Sequence, residues 1–147
     1  MSDAAAIREL QDREAIRTLM ARYYQAVDRR DFDTVGGCFT DDAFVDFMGN
    51  ERRGREAIQQ YISGVAGYAV TTHFMGNHLA EIRGDGAEVE TYAIAHHRDE
   101  RGSEPRYAVM ALRYIDRMVR EGGGWRVAHR VMVEDWRRTD AELPPPA

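Results

Sequence analysis

All 20 basic residues of the sequence are arginine, and lysine is absent. Schiff-base chemistry, a Walker-type phosphate-binding lysine and a lysine general base are therefore excluded within this chain. Serine is almost as scarce, and none of the three serines lies in the G-x-S-x-G motif of serine hydrolases. The single cysteine, Cys38, cannot form an intramolecular disulfide, which is compatible with a reducing compartment and favours a cytoplasmic protein.

Long apolar runs and basic clusters are also missing. No apolar run approaches the roughly 20 residues of a membrane-spanning helix, and MSDAAAIRELQDRE has neither the basic nor the apolar region of a signal peptide. The net charge is −5, and no basic stripe is available to neutralise phosphates. The motifs CxxC, H-E-x-x-H and G-x-G-x-x-G after a strand are absent. We therefore expect no cofactor, no metal, no nucleic acid and no membrane partner.

The remaining composition is typical of one globular domain. Of the 147 residues, 44% are hydrophobic and 31% are charged, which is enough for an ordinary core. Apolar periodicity predicts helices over residues 4–30, 31–38 and 54–63, a hairpin turning at Gly49-Asn50, and strands over residues 70–82, 87–98, 106–120 and 125–136. Short Gly-rich links between the four long strands require antiparallel pairing. The elements predict a single α+β domain over residues 1–137, with helices on one face of a curved sheet and a small-molecule pocket at its open end, and a Pro-rich tail over residues 138–147.

One group of polar residues with possible chemistry lies on the first predicted helix. It consists of Tyr23, Tyr24 and Asp28. A helical wheel places Asp28 about 100° from the centre of the apolar stripe, at its border. A carboxylate in that position is more often solvated than catalytic, so the spacing alone assigns it no role.

A second group lies on the predicted strands. In THFMGNH, alternation with a period of two places His73 and Asn77 on one face and His78 on the other. Arg130 lies between small and apolar neighbours in WRVAHRVMVEDW, where an arginine is costly unless it pairs with an anion or lines a cavity. A structural histidine and a salt-bridged arginine are the commoner outcomes, so both residues admit a structural as well as a functional interpretation.

These features together resemble the SnoaL-like branch of the nuclear transport factor 2-like (NTF2-like) superfamily. The resemblance rests on a Tyr-Tyr pair before Asp28, the segment DFDTVGGCFTDDA, His73 in T-x-H-x-x-x-N, and W-R-V-x-x-R ending at Arg130. It covers about residues 6–136 and is particularly close to the subgroup of scytalone dehydratase, hexachlorocyclohexane dehydrochlorinase and bile acid 7α-dehydratase. It implies an NTF2-like cone of about three N-terminal helices packed on a strongly curved, mostly antiparallel mixed sheet.

The resemblance also implies an activity and its residues. The subgroup uses an Asp–His dyad, which corresponds to Asp28 and His73, with a pocket arginine at Arg130 and a pocket tyrosine at Tyr23. The implied reaction is a cofactor-independent, dehydratase-type elimination on a hydrophobic cyclic small molecule such as a steroid, polyketide or terpenoid. His73 would act as the general base, with its tautomer fixed by Asp28. Arg130 would bind an oxygen with developing negative charge, and Tyr23 would hydrogen-bond a carbonyl or a departing hydroxyl.

The pocket itself is expected to be apolar. Scytalone dehydratase has a second catalytic histidine on the next strand, and His96 or His97 could stand in its place, but alternation allows at most one of them to face the pocket. The residues expected to contact substrate are Tyr24, Phe44, Phe47, Phe74, Met75, Asn77, His97, Met110, Leu112 and Met132. About half of the Phe, Leu and Met residues among them are expected to be core residues instead.

Other interpretations stay open at this point. A non-catalytic NTF2-like ligand-binding protein or partner subunit would keep the fold without needing Asp28, His73 and Arg130, and an isomerase or cyclase would use the same dyad. A metal enzyme is disfavoured because the histidines have no recognised ligand spacing. Long strands rich in Val, Tyr and Trp offer apolar area for self-association, and the resemblance implies a homo-oligomer, a homotrimer ahead of a dimer.

Overall fold

The described part of this computed structural model, residues 2–141, contains three α-helices, one short 3-10 helix and six β-strands. In chain order they are α1 (Asp3–Arg29), α2 (Phe32–Gly37), β1 (Phe39–Phe47), β2 (Asn50–Arg53), α3 (Arg55–Ile62), the 3-10 helix (Ser63–Gly67), β3 (Val70–Arg83), β4 (Gly86–Asp99), β5 (Arg106–Glu121) and β6 (Gly124–Ala141). Every predicted helix and strand is present. No helix within these residues combines the length and the apolar character needed to cross a membrane.

The last strand is longer than the sequence predicts. β6 pairs with β5 as far as the partners Arg106 and Ala141, so residues 138–141 of the predicted tail continue the sheet. The predicted boundary was wrong because the strand end WRRTDA lacks the apolar alternation by which strands are recognised. The rest of the predicted tail, residues 142–147, lies outside the described residues.

The sheet is mixed and has the strand order β2-β1-β6-β5-β4-β3. β3 to β6 form the predicted antiparallel meander, whereas β1 runs parallel to β6. Parallel neighbours need a long connection, and the chain from β2 to β5 supplies it. Helix α1 packs mainly against β3, and α3 packs against β1. The predicted α+β class, with helices on one face of a curved sheet, is confirmed.

A β-bulge in β3 changes which residues share a face. Between Met75 and His78 the register shifts, because Gly76 and Asn77 together oppose a single residue of β4. Such an extra residue reverses the alternation of the side chains that follow. His78 therefore lies on the same face as His73, and Asn77 is exposed. The predicted facing of Asn77 and His78 was wrong for this reason.

The first hairpin turns one residue earlier than predicted. Phe47 pairs with Asn50, so the two turn residues are Met48 and Gly49. Their φ angles are 55° and 87°, the combination of a type I′ turn, whose twist matches that of the strands. Glycine adopts a positive φ freely, whereas a methionine rarely does.

The N-terminal half of α1 is fixed to the sheet by three residues that we call the Asp12 cluster: Asp12, Arg120 and Trp125. Asp12 is only 8% exposed, and its two oxygens accept hydrogen bonds of 2.8 Å from the Arg120 guanidinium. Trp125 Nε1 donates to the same carboxylate at 3.1 Å. The hydrogen bonds from Arg120 lower the pKa of the Asp12 carboxyl against the opposing effect of burial, so the ion pair is present at neutral pH.

We expect Asp12→Asn to lower the free energy of unfolding by about 2 kcal/mol at neutral pH, because Arg120 and Trp125 lose a charged acceptor. A carboxyl whose pKa is lowered by folding contributes fully above its ordinary value of 3.8 and loses that contribution as the pH falls through the lowered value. The difference between Asp12→Asn and the parent protein should therefore shrink in acid below that value. Urea unfolding across this pH range measures it.

Asp85→Asn is the matched control. Asp85 accepts a hydrogen bond of 2.9 Å from Arg120 Nε, but its side chain is 84% exposed, and exposed ion pairs contribute little to stability. A loss in Asp85→Asn as large as that in Asp12→Asn would contradict the role given to the buried carboxylate.

Candidate active site

The last turn of α1 places a carboxylate next to a histidine of β3. His73 Nδ1 lies 2.7 Å from Asp28 Oδ1, and the His73 backbone N–H donates to Asp28 Oδ2 at 2.9 Å. The Thr71 hydroxyl donates to Asp28 Oδ1 at 3.0 Å. The side chains of Asp28 and His73 are 22% and 6% exposed, so the pair is largely removed from water. The structure thus brings together the two residues that the sequence suggests as a dyad.

The electrostatics of the pair decide where its proton lies. Burial raises the pKa of the Asp28 carboxyl, but the hydrogen bonds from His73 and Thr71 outweigh this effect and hold the pKa below its usual range. An ionised carboxylate only accepts hydrogen bonds, which assigns the shared proton to His73 Nδ1. In the neutral imidazole with this tautomer, His73 Nε2 carries the lone pair and can accept a proton from another molecule.

His73 lines a cavity of about 370 Å³. The residues of the sequence prediction that also line this cavity are Tyr23, Phe47, His97, Met110, Leu112 and Met132. A larger cleft of about 610 Å³ lies beside Arg22 and Arg126, but neither member of the dyad lines it. The dyad therefore points to the smaller cavity as the candidate site.

A second histidine faces this cavity from β4. The ring centres of His97 and His73 are 5.7 Å apart, and the Tyr68 ring centre is 4.5 Å from that of His97. Both ring nitrogens of His97 are buried, and neither has a hydrogen-bond partner in the described part of the chain. Burial, helped by the positive potential of neighbouring basic side chains, lowers the pKa of His97 to about 4. The ring is thus neutral at pH values well above 4, whereas His96 points to the outer face.

Arg130 lies behind the cavity wall rather than in it. The side chain is fully buried, and its Nε and Nη2 atoms donate to the buried Asp116 carboxylate at 2.7 and 2.8 Å. Its Cζ atom lies 4.4 Å from the Tyr23 ring centre and 4.6 Å from that of Tyr114, and Arg130 does not line the cavity. Asp116, which the sequence did not suggest, accepts from two of the three guanidinium nitrogens, and Nη1 is buried without a hydrogen-bond partner among the described residues. The expected role of Arg130 as a direct ligand of substrate oxygen stays a prediction.

Three buried tyrosines surround the dyad and Arg130. Tyr23 and Tyr114 both line the cavity. Burial raises the pKa of Tyr23 to about 12 and that of Tyr114 well above its usual range, so both are neutral phenols at neutral pH. Tyr24, an expected substrate contact, does not line the cavity, because its ring stacks on His73 with centres 5.7 Å apart and planes 13° from parallel. Tyr24 therefore supports the imidazole rather than the substrate.

Four more of the expected substrate contacts lie away from the cavity. Phe74 is 71% exposed on the outer face of the sheet, and Asn77 is exposed after the bulge. Phe44 lies on the face opposite Phe47, with its ring centre 5.2 Å from that of His129. Met75 packs against the core without lining the cavity. The alternation of side chains along a strand shows which face a residue lies on only where the strand register is known. It does not show how far along the strand the cavity lies.

The sequence did not predict one wall of the cavity. Tyr61, Val65, Tyr68 and Met48 line the cavity from α3, the residues that follow it, and the first hairpin. The Tyr61 ring stacks on Phe47 with centres 5.3 Å apart. The apolar side of α3 was the signal that could have indicated this wall, since a helix beside a pocket must bury that side against something.

The charge at the cavity is already paired. Arg137 of β6 lines the cavity, and its guanidinium donates to Glu134 at 2.7 Å. In residues 2–141 no three His, Cys, Asp or Glu side chains are grouped so that they could hold a metal ion. The chemistry that the arrangement can supply is therefore proton transfer by His73, with neutral phenol and imidazole groups as hydrogen-bonding partners.

We expect Arg130→Met to lower the free energy of unfolding by about 3–5 kcal/mol, because Asp116 would be left as a buried, uncompensated charge. The double variant Arg130→Met with Asp116→Leu should recover most of this loss. Urea unfolding of both variants measures the difference. An Arg130→Met protein as stable as its parent would contradict the pairing of Arg130 with Asp116. Because the substitution is expected to destabilise the fold, a loss of activity in Arg130→Met would not by itself show that Arg130 binds substrate.

Several known proteins share this sequence pattern. The family model of the SnoaL-like domain matches residues 8–131 of the chain. An uncharacterised protein of Mycobacterium tuberculosis is 31% identical over 129 residues, which cover 86% of this chain and 87% of the relative. Both matches span most of the sequence, including Asp28, His73 and Arg130 in the case of the family model.

Solved structures show the same fold. A Novosphingobium aromaticivorans protein with the provisional name scytalone dehydratase has a TM-score of 0.80 at 21% identity, over 100% of this chain and 95% of its own. A hexachlorocyclohexane dehydrochlorinase, LinA type 2, has a TM-score of 0.84 at 20% identity, over 96% of this chain and 98% of its own. At these identities the likeness shows the fold alone. The family model and the fold together establish that the chain belongs to the SnoaL-like domain family and has an NTF2-like fold.

Proposed function

We propose that the protein is a cofactor-independent lyase that eliminates water from a hydrophobic cyclic small molecule by general-base catalysis. The observation that carries the proposal is the 2.7 Å contact between His73 Nδ1 and Asp28 Oδ1 at the wall of a mainly apolar cavity. A purely structural histidine–aspartate pair needs no cavity beside it. Two structural neighbours are named as a dehydratase and a dehydrochlorinase, which are both elimination enzymes, and this supports the proposed class.

The proposed reaction uses His73 twice. His73 Nε2 removes a proton from a carbon next to a carbonyl group. The electron pair of that C–H bond forms a carbon–carbon double bond while the bond from the β-carbon to its hydroxyl oxygen breaks. The imidazolium then returns the proton to the departing oxygen, so the products are water and an unsaturated carbonyl compound. Ionised Asp28 stabilises the imidazolium between the two steps.

The other polar groups of the cavity suit the same reaction. Tyr23 is a neutral phenol, and a phenol can donate a hydrogen bond to a carbonyl oxygen on which negative charge develops. The Arg130 guanidinium against the Tyr23 ring strengthens this donor, so Arg130 contributes through Tyr23. His97 has two unpartnered ring nitrogens and suits a second polar group of the substrate.

The cavity also restricts the substrate. Its volume of about 370 Å³ is near the lower end of the range of about 300–1,000 Å³ that is usual for ligand pockets. Phe47, Met110 and Met132 give it apolar walls. A compact cyclic polyketide or terpenoid, or a steroid nucleus without a long side chain, fits these properties. The positive charge of Arg137 at the cavity is already paired with Glu134, so the substrate does not have to supply a carboxylate to neutralise it.

We expect His73→Ala to abolish turnover of a panel of cyclic β-hydroxy ketones and acids while the fold is retained. Asp28→Asn should lower kcat by about 10⁴-fold, because an amide favours the wrong tautomer of the imidazole. His96→Ala is the matched control, since this neighbouring histidine points to the outer face and its loss should leave turnover unchanged. The absorbance of the unsaturated carbonyl product and the mass of the product measure turnover.

The possible outcomes separate the candidate functions. Turnover that persists in His73→Ala would contradict the assignment of Asp28 and His73 as a catalytic dyad. A product with the same mass as the substrate would favour an isomerase or cyclase, in which the proton returns to carbon instead of oxygen. Binding of panel compounds to the parent protein without any product would favour a non-catalytic ligand-binding protein or partner subunit.

We also propose that the protein is a homo-oligomer, a trimer ahead of a dimer, that associates through the outer face of the sheet. This face carries exposed apolar side chains, with Phe74 at 71%, Leu79 at 76%, Ile115 at 40% and Trp136 at 51%. Large exposed apolar patches are uncommon on monomeric proteins and often mark an interface.

We expect Leu79→Glu to reduce the solution mass to that of a monomer, because a charge placed within an apolar contact loses its hydration without gaining a partner. Leu10→Glu is the control, since Leu10 is 67% exposed on α1, away from that face. Light scattering measures the mass. A monomeric parent protein would contradict the proposed assembly.

A further inference from the structure

Arg30 follows α1 in a backbone conformation that arginine rarely adopts. Its φ angle is 61°, and Arg30 and Met48 are the two non-glycine residues with positive φ in residues 2–141. Glycine normally takes this position after a helix, because a side chain is strained there. Arg30 lies two positions after the candidate catalytic carboxylate, and contacts of its side chain must compensate for the strain of its backbone.

The Arg30 guanidinium folds back beneath the dyad. Its Nη1 atom donates to the carbonyl oxygens of Val27 and Asp28, at 3.1 and 3.4 Å, and to the Thr71 hydroxyl at 2.6 Å. Its Nη2 atom donates to the carbonyl oxygen of Tyr68 at 3.0 Å. Contacts with the last helix carbonyls are ordinary for an arginine at a helix end. The contacts with Thr71 and Tyr68 are not part of helix capping, since they reach the segment that enters β3.

The contact with Thr71 fixes the direction of the hydrogen bonds in the dyad. A guanidinium has donors and no acceptor, so the Thr71 hydroxyl must accept from Arg30. The single hydroxyl proton is then committed to Asp28 Oδ1, 3.0 Å away. Thr71 is only 4% exposed, so no bulk water competes for that proton. The carboxylate is thereby held with Oδ1 towards the His73 ring and Oδ2 on the His73 backbone N–H.

We propose that Arg30 is a positioning residue that acts through Thr71 and Asp28 to keep the proton of His73 on Nδ1 and Nε2 free towards the cavity. The inference rests on the proposed function, because it gives Arg30 a purpose in the orientation of the general base. Arg30 is also connected to the other side of the cavity. Its Nη2 atom donates to the backbone carbonyl of Tyr68, and the ring of Tyr68 lies against His97. One guanidinium therefore connects both histidines of the site.

Variants of the full-length chain can separate this role from simple helix capping. Arg30→Gly removes the guanidinium and places glycine at a positive φ, so the fold should be retained. Thr71→Val removes the hydroxyl with little change of shape, and Thr71→Ser keeps the hydroxyl. Arg29→Ala is the matched control, because it removes the neighbouring exposed arginine of the same helix end. Circular dichroism confirms that each variant is folded.

The first readout is nitrogen-15 NMR of the His73 ring in the substrate-free protein. We expect the parent protein to show the Nδ1–H tautomer with slow exchange of that proton. In Arg30→Gly and Thr71→Val the exchange should be about tenfold faster, the factor that accompanies the loss of one hydrogen bond. Thr71→Ser and Arg29→Ala should leave it unchanged. In turnover, kcat should fall about 10- to 100-fold in Arg30→Gly and Thr71→Val while KM stays nearly constant.

The outcomes distinguish this inference from the proposed function. An unchanged His73 Nδ1–H signal in Arg30→Gly and Thr71→Val would overturn the positioning role. A change in Arg30→Gly alone would also overturn it, because Arg30 would then act through Tyr68 and not through Asp28. The expected NMR changes in a protein that turns over no compound of the panel would support the positioning of His73 and count against the lyase.

Discussion

The negative charge of Asp28 lies at the C-terminal end of α1, where the helix dipole is itself negative, and the rest of the site depends on how that charge is stabilised. With most of its surface removed from water, the carboxylate requires donors from the protein. Thr71 and His73 supply three hydrogen bonds from one short stretch of β3. Helix α1 must therefore end against this part of the strand, and the strand must turn both residues to the same face.

Charge pairing keeps the cavity beside this dyad free of uncompensated charge. Arg130 and Asp116 neutralise each other behind Tyr23 and Tyr114, and Arg137 is occupied by Glu134 at the cavity. Apart from Arg137, the side chains that line the interior are apolar, phenol or imidazole groups. In such surroundings a hydrogen bond is stronger than in water and an imidazole resists protonation, as His97 shows.

The sequence predicted the features that depend on local periodicity. The apolar stripe of α1, the alternation within β4 and β5, and the Gly-rich links are each readable from a few neighbouring residues, and the α+β class followed from them. Asp28 and His73 were identified by the family resemblance, because nothing local distinguishes Asp28 from a solvated carboxylate at the edge of a stripe.

What the sequence could not predict depends on pairing between distant residues. The bulge at Gly76 and Asn77 exists only relative to β4, so the faces of Asn77 and His78 could not be read from β3 alone. Asp116 had no signature as the partner of Arg130 because the two meet only after β5 and β6 pair. Arg30 likewise reads as a surface charge after a helix until β3 brings the Thr71 hydroxyl to it.

The Asp12 cluster and the cavity sit far apart on the same helix. Asp12 and Asp28 are separated by about 24 Å along α1, from the rise of an α-helix, and the cluster shares no residue with the cavity lining. Side chains at the cavity such as Met48, Tyr61 and Val65 can therefore be exchanged without loosening the anchor that holds the helix to the sheet. A scaffold organised in this way lets substrate preference diverge among descendants of one gene while the architecture is inherited unchanged.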